Sequence, residues 1–217
     1  MDADAQDKLH ESLAALPLFP LPQAFLFPGA LLPLHVFEPR YRALLRDCLA
    51  SHRHMAIVQI LGAGPDGSPR IAPVAGVGVI LDHQTLPDGR SNLVLQGRGR
   101  VRLQELEFVA PYRRARAELL ADDDVRIPEH EKVALVHAAA AFAQEIKRHD
   151  PDFELRLSAQ GDAGRLADLC AHQLIIDTEL RQRLLETTDP VTRVRLVTQG
   201  LARQSSALGS SPPAVLN

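Results

Sequence analysis

Leu18 to Leu49 reads LFPLPQAFLFPGALLPLHVFEPRYRALLRDCL, and its prolines and single glycine leave the backbone few options. Pro20, Pro22 and Pro28 fix φ and remove N–H donors, which predicts short extended segments instead of a helix. Gly29 tolerates positive φ, so Pro28-Gly29 predicts a turn. Pro39 suits the first turn of a helix, where its missing N–H costs no hydrogen bond. Behind it Tyr41, Leu44, Leu45, Cys48 and Leu49 recur at helical spacing as one apolar stripe. Four of the seven phenylalanines lie between Phe19 and Phe37. Core packing accounts for most of them. Phe25 and Phe27 share strand parity and precede a turn, where aromatics can form a surface patch, so they are the candidate peptide-binding residues.

Outward from this stretch, the chain as far as about Leu120 is cut into strand-like runs by Pro and Gly: Met55–Leu61, Gly76–Leu81, Asn92–Gln96 and Arg100–Phe108. Leu86-Pro87-Asp88-Gly89-Arg90 places Asp-Gly between two such runs and predicts a hairpin. The acidic stretch Ala121-Asp122-Asp123-Asp124 reads as a solvated linker, after which the apolar period changes from two to about 3.6. Glu129–His149 predicts a long helix with Val133, Val136, Ala140 and Ala143 on its apolar face, ended by Asp150-Pro151. Three shorter helical patterns follow. One carries Leu166, Leu169 and Cys170; the next carries Leu180, Leu184 and Leu185 behind a capping Asp177; the last carries Val191, Val194, Val197 and Leu201 behind Asp189-Pro190. The expected organisation is a flexible N-terminus (1–15), a β-barrel with one inserted helix (16–121), a helical bundle (128–204) and a disordered tail (205–217) without a periodic apolar face. The fold class is α+β.

A chain of 217 residues, 46% of them hydrophobic, buries roughly 70% of its unfolded surface and needs no disulfide or metal to hold a core. The 24 basic and 27 acidic residues leave a net charge of −3, which argues against nucleic acid or an anionic membrane as partner. Cys48 and Cys170 sit in apolar periodic stretches, as reduced core thiols do. MDADAQDKLHESLAAL lacks the basic and apolar regions of a secretory signal, and no apolar run approaches the roughly 20 residues needed to cross a bilayer. The expectation is a soluble cytoplasmic protein.

The chemistry-bearing patterns fail on context. Gly62-Ala63-Gly64-Pro65-Asp66-Gly67 satisfies GxGxxG, but Pro65, Pro69 and Pro73 forbid the helix whose N-terminus would face a pyrophosphate. No lysine lies in a glycine-rich loop, which excludes a P-loop. His52-Arg53-His54 lacks a second ligand cluster for zinc and reads as solvated residues at a helix end. A thiol buried on an apolar stripe stays protonated and inert, and there is no GxSxG elbow. No catalytic residue, metal site or cofactor is therefore nominated. Arg98, Arg100 and Arg102 alternate along one strand and would share a face, a possible basic docking surface extended by Arg113, Arg114 and Arg116. No aromatic flanks them for base stacking.

Taken in order, Leu16-Pro17-Leu18-Phe19-Pro20-Leu21, Leu26-Phe27-Pro28-Gly29 and Leu32-Pro33-Leu34-His35-Val36-Phe37-Glu38-Pro39-Arg40-Tyr41 resemble the signature of the Lon protease N-terminal, or substrate-binding, domain. The resemblance continues through Gly76-Val77-Gly78, Leu86–Arg90, Gly97-Arg98-Gly99-Arg100, Pro111-Tyr112, Ala167-Asp168-Leu169 and Arg181–Glu186, from about Leu16 to Gln204. It implies a PUA-like β-barrel followed by a C-terminal helical bundle. It further implies a non-catalytic polypeptide-binding or adaptor module without the ATPase and Ser-Lys peptidase of full-length Lon. The family also has free-standing copies, and this chain resembles one. The implied partners are unfolded or apolar polypeptide segments and, through them, a protease or chaperone system. The competing expectation is an RNA-binding PUA-like module that uses the arginine face.

Overall fold

The computed structural model describes residues 3–64, 67–155 and 162–210. Its contacts divide the chain into two units, Met1–Ala121 and Asp122–Asn217.

The first unit contains α1 (Ala3–Ser12), β1 (Leu16–Leu21), β2 (Leu31–Val36), α2 (Pro39–Leu49), β3 (His54–Ala63), β4 (Pro69–Ile71), β5 (Val74–Thr85), β6 (Ser91–Glu105) and β7 (Arg114–Leu120). Strands β1, β7, β6, β5 and β3 pair in that order, and a parallel β1–β3 pairing, Leu18 opposite Ala56 through Leu21 opposite Gln59, closes the ring. Alternate residues of the same strands feed two separate cores. Leu16, Leu18, Ala56, Val58, Ala75, Val77, Val101 and Ala115 meet around Leu9 of α1. Phe19, Met55, Ile57, Ile80, Leu93 and Leu95 meet Tyr41, Leu44, Leu45 and Cys48 of α2. Burial on both faces is why these strands read as apolar runs more than as alternating patterns. The hairpin between β5 and β6 turns at Gly89, which takes φ +79°, and closes with Leu86 N–H donating to the Arg90 carbonyl at 2.7 Å.

Two sequence expectations need correction here. The N-terminus is not a flexible lead-in: Ala3–Ser12 is helical, and Leu9 is anchored at 3% exposure. Phe25 and Phe27 are not a surface patch, for they are 1% and 0% exposed. A bed of glycines draws them in. A Cβ on Gly76 would lie 1.8 Å from the Leu26 carbonyl oxygen, and one on Gly97 would lie 2.0 Å from that of Phe27. The Phe25–Phe27 segment can therefore lie directly on β5 and β6. Gly29 N–H donating to Gly97 (3.0 Å) and Gly97 N–H donating to Ala30 (2.9 Å) fasten it there.

The second unit is helical: α3 (Glu129–His149), α4 (Ala163–Gln173), α5 (Thr178–Glu186) and α6 (Pro190–Ser210), with α3 and α4 packed on α6. Asp162 and Asp177 cap α4 and α5 by accepting backbone N–H bonds, and Asp189 accepts from Val191 and Thr192 at the start of α6. The buried face of α3 is Leu135, Ala139, Phe142 and Ala143, whereas Val133 and Val136 of the expected face are 44% and 45% exposed. The tail expectation also shifts. Helix α6 runs on to Ser210, and 211–217 lie outside the described residues. Arg193, 1% exposed, ties this unit together. It pairs with Asp122 and Asp168 and donates to the Thr187 and Thr188 carbonyls, both at 3.0 Å.

Candidate polypeptide-binding groove

An apolar concavity of the first unit has a volume of about 380 Å³. Its floor comes from Leu18 and Pro20 of β1 and Tyr41 of α2, and one wall from the segment that joins β6 to β7, with Leu106, Phe108, Pro111 and Tyr112. The floor residues Leu18 and Tyr41 are held by the barrel cores, at 0% and 6% exposure. Tyr41 packs its ring on Phe19 with centroids 4.2 Å apart. Part of the wall is open to solvent: Leu106 is 39% exposed and Phe108 64%, with Val109 beside them at 65%, whereas Tyr112 is buried. Adjacent large apolar side chains left in water at a concavity make it the candidate binding surface of this unit.

Polar groups brace this wall. The Tyr112 hydroxyl donates to Asp47 at 2.8 Å and accepts from Arg114 at 3.1 Å, and the Arg114 guanidinium lies 4.9 Å from the Tyr112 ring centroid. Burial pushes the Tyr112 phenol above its ordinary pKa. Burial alone would raise Asp47 as well, but the Tyr112 hydroxyl and Arg46 outweigh it and hold that carboxyl below the usual range. Arg113 pairs with Glu105 and donates to the Pro69 carbonyl at 2.6 Å, tying the segment to β4. Arg40 is engaged at the rim by Glu38 at 2.8 Å and by the Tyr41 ring at 4.5 Å. The charges around the groove are thus largely matched, and what it offers a ligand is apolar and aromatic surface.

The three arginines expected to share a face are split: Arg100 and Arg102 keep a common strand parity, whereas Arg98 falls out of the alternation. The register of β5 on β6 shifts between Val77–Gly99 and Gly78–Gly97, so Arg98 falls at a bulge. The alternation flips there, with Leu93 and Leu95 in one core and Val101 in the other. Arg98 is half-buried, Arg100 is 2% exposed, and exposed Arg102 pairs with Glu118 at 3.3 Å.

His52 and His54 depart from the solvated reading: His54 is 3% exposed, and their rings lie 5.9 Å apart. Among the described residues no group of three or more His, Cys, Asp or Glu could hold a metal ion. Cys48 and Cys170 are buried free thiols, and burial pushes both pKa values up to about 12. The GxGxxG segment is followed by strand β4 and not by a helix, and its Pro65 and Asp66 lie outside the described residues. No helix among the described residues is long and apolar enough to cross a membrane.

Fold and groove together define a class: an α+β domain built on a small closed barrel that presents an apolar cleft. The sequence profile of the ATP-dependent protease La (LON) substrate-binding domain matches residues 15–203, and the chain belongs to that family. A Lon protease of Roseiflexus castenholzii is 31% identical over 198 residues, covering 89% of this chain and 24% of the relative. Lon protease 2 of Bdellovibrio bacteriovorus is 28% identical over 204 residues, covering 91% and 26%. The chain thus spans about a quarter of the length of these relatives. The crystal structure of a Lon N-terminal domain protein from Xanthomonas campestris shares the fold with a TM-score of 0.62 at 24% identity, covering 91% of this chain and 99% of that one. The N-terminal domain of the Mycobacterium avium complex Lon protease gives 0.63 at 16% identity, covering 87% and 98%.

Proposed function

We propose that this chain is a non-catalytic polypeptide-binding module that takes up apolar, aromatic-bearing segments of unfolded chains in the groove walled by Leu106, Phe108 and Tyr112. The observation that carries the reading is Phe108, left 64% exposed over a floor that includes Tyr41, in a member of a substrate-binding family. An incoming aromatic side chain would cover Phe108 and gain about 1.5–3 kcal/mol from burial alone. The segments so bound would pass to a separate protease or chaperone, which makes the module an adaptor. We place it in the cytoplasm, a reading supported by its two buried, unpaired thiols. A fluorescent peptide rich in Phe and Leu, titrated against the chain and its Phe108→Ser variant, tests the assignment. Loss of affinity by about tenfold or more is expected, and equal affinity of the two proteins would refute the groove.

A further inference from the structure

We propose that the groove between α2 and the β5–β6 turn is a second docking site, one that takes acidic, amphipathic polypeptide segments on Arg42. This concavity, about 800 Å³, is lined by Arg42, Arg46 and Leu49 of α2 and by Thr85, Gly89 and Ser91 of the hairpin, among others, and no Asp or Glu is among its lining residues. Arg42 and Arg46 stand one helical turn apart and face the same groove. Arg46 is spent on Asp47 at 3.0 Å, and the nearby Arg90 on Asp88 at 2.6 Å. Arg42 is different: among the described residues no carboxylate or carbonyl accepts a hydrogen bond from its guanidinium.

Its guanidinium lies beside the β5–β6 turn. A Cβ on Gly89 would fall 2.1 Å from Arg42 Nη2 and 2.9 Å from Cζ. The guanidinium therefore lies close against the backbone of the turn at Gly89. The positive φ of the hairpin is what requires glycine at position 89. A planar cation beside a turn whose Asp88 carboxylate is engaged by Arg90 keeps donors free for an incoming carboxylate, and a bidentate pair is the contact its geometry favours. Leu45 and Leu49 line the same groove, so apolar residues beside that carboxylate would meet apolar surface. The ligand class follows from this combination of charge and apolar surface. A nucleic-acid strand fits less well, since no aromatic side chain lines the groove for base stacking.

Helix α2 thus serves both grooves: Arg40 and Tyr41 line the aromatic one, Arg42 and Arg46 the other. The acidic docking site stands on its own charge and geometry and survives if the aromatic groove proves empty. The test uses two labelled peptides, one alternating Leu with Glu and one rich in neutral Phe and Leu. Each is titrated against the whole chain, Arg42→Gln and, as a control for loss of an exposed charge, Arg203→Gln. Thermal unfolding followed by circular dichroism verifies that the variants fold. Arg42→Gln is expected to weaken binding of the acidic peptide about tenfold and of the neutral one less than twofold, with Arg203→Gln without effect. Equal binding of the acidic peptide to the chain and to Arg42→Gln overturns the proposal. So does an equal loss with Arg203→Gln, which would mark diffuse charge. So does a single-stranded oligouridylate that binds tighter than the acidic peptide with the same dependence on Arg42.

Discussion

Acidification should destabilise the barrel through one side chain, His54. It opens β3 opposite Val79, is 3% exposed, and its Nδ1 has no hydrogen-bond partner among the described residues. Burial is the main force that lowers its pKa from 6.5 to about 4; the nearby charges of His52 and Arg98 act the same way, against a hydrogen bond to the His52 backbone. In the unfolded chain the ring regains its ordinary value of about 6.5. Between those two values the unfolded state holds a proton that the native state does not. Stability is therefore intact above about pH 6.5 and falls as the pH drops through that window to about 4. At about 1.36 kcal/mol per pH unit, the interval is worth about 3 kcal/mol. That is a large part of the 5–15 kcal/mol typical of a domain. The assay is built in: the chain has two tyrosines and no tryptophan, and both tyrosines, Tyr41 and Tyr112, belong to the first unit. Tyrosine fluorescence in urea therefore reports the barrel alone. Measured at a series of pH values, the wild-type free energy should fall by about 3 kcal/mol more than that of His54→Gln across this window. Parallel curves for the two proteins would refute the reasoning, since the carboxylates common to both cancel in the difference.

Other perturbations act through equally local causes. Arg193→Met strips the charge partner from Asp168, itself 3% exposed. It should cost the second unit about 3–5 kcal/mol, read as an early helical transition by circular dichroism; a loss below about 1 kcal/mol would contradict the hub. Gly76→Ala places a methyl group 1.8 Å from the Leu26 carbonyl oxygen. It should destabilise the barrel by at least the upper end of about 1–3 kcal/mol, seen in the urea midpoint of tyrosine fluorescence. Cys48 and Cys170, with pKa values near 12, should resist a thiol reagent at neutral pH until urea unfolds the chain. Rapid labelling of the native protein would show that their burial is transient.

Much of the architecture was legible because single residues left the backbone no alternative. Pro39 started α2, Gly89 turned the hairpin, and Asp177 capped α5. What escaped reading depended on partners distant in sequence. Phe25 and Phe27 were drawn inward by Gly76 and Gly97, glycines whose bare surface acquires meaning only once β5 and β6 lie under the segment. In α3 two apolar stripes compete at the same spacing. The larger side chains, Leu135 and Phe142, took the core over Val133 and Val136, a choice that periodicity cannot make. Arg98 left the expected arginine face because a bulge there resets strand parity, and bulges leave no reliable mark in composition. Helix α1 hangs on Leu9 in an otherwise polar stretch, too little to register as an amphipathic pattern. The groove itself joins β1, α2 and the segment before β7, three pieces that each looked like ordinary strand or helix margin.

The central claim, that apolar polypeptide docks in the aromatic groove, is tested most directly by photo-crosslinking. A Phe- and Leu-rich peptide carrying one benzoylphenylalanine would be irradiated with the intact chain, and the adducts mapped by mass spectrometry. Adducts concentrated on Leu106–Tyr112 and on Arg40 and Tyr41, suppressed by Phe108→Ser, are the predicted result. Adducts confined to other segments, or spread evenly along the chain and indifferent to Phe108, would contradict it.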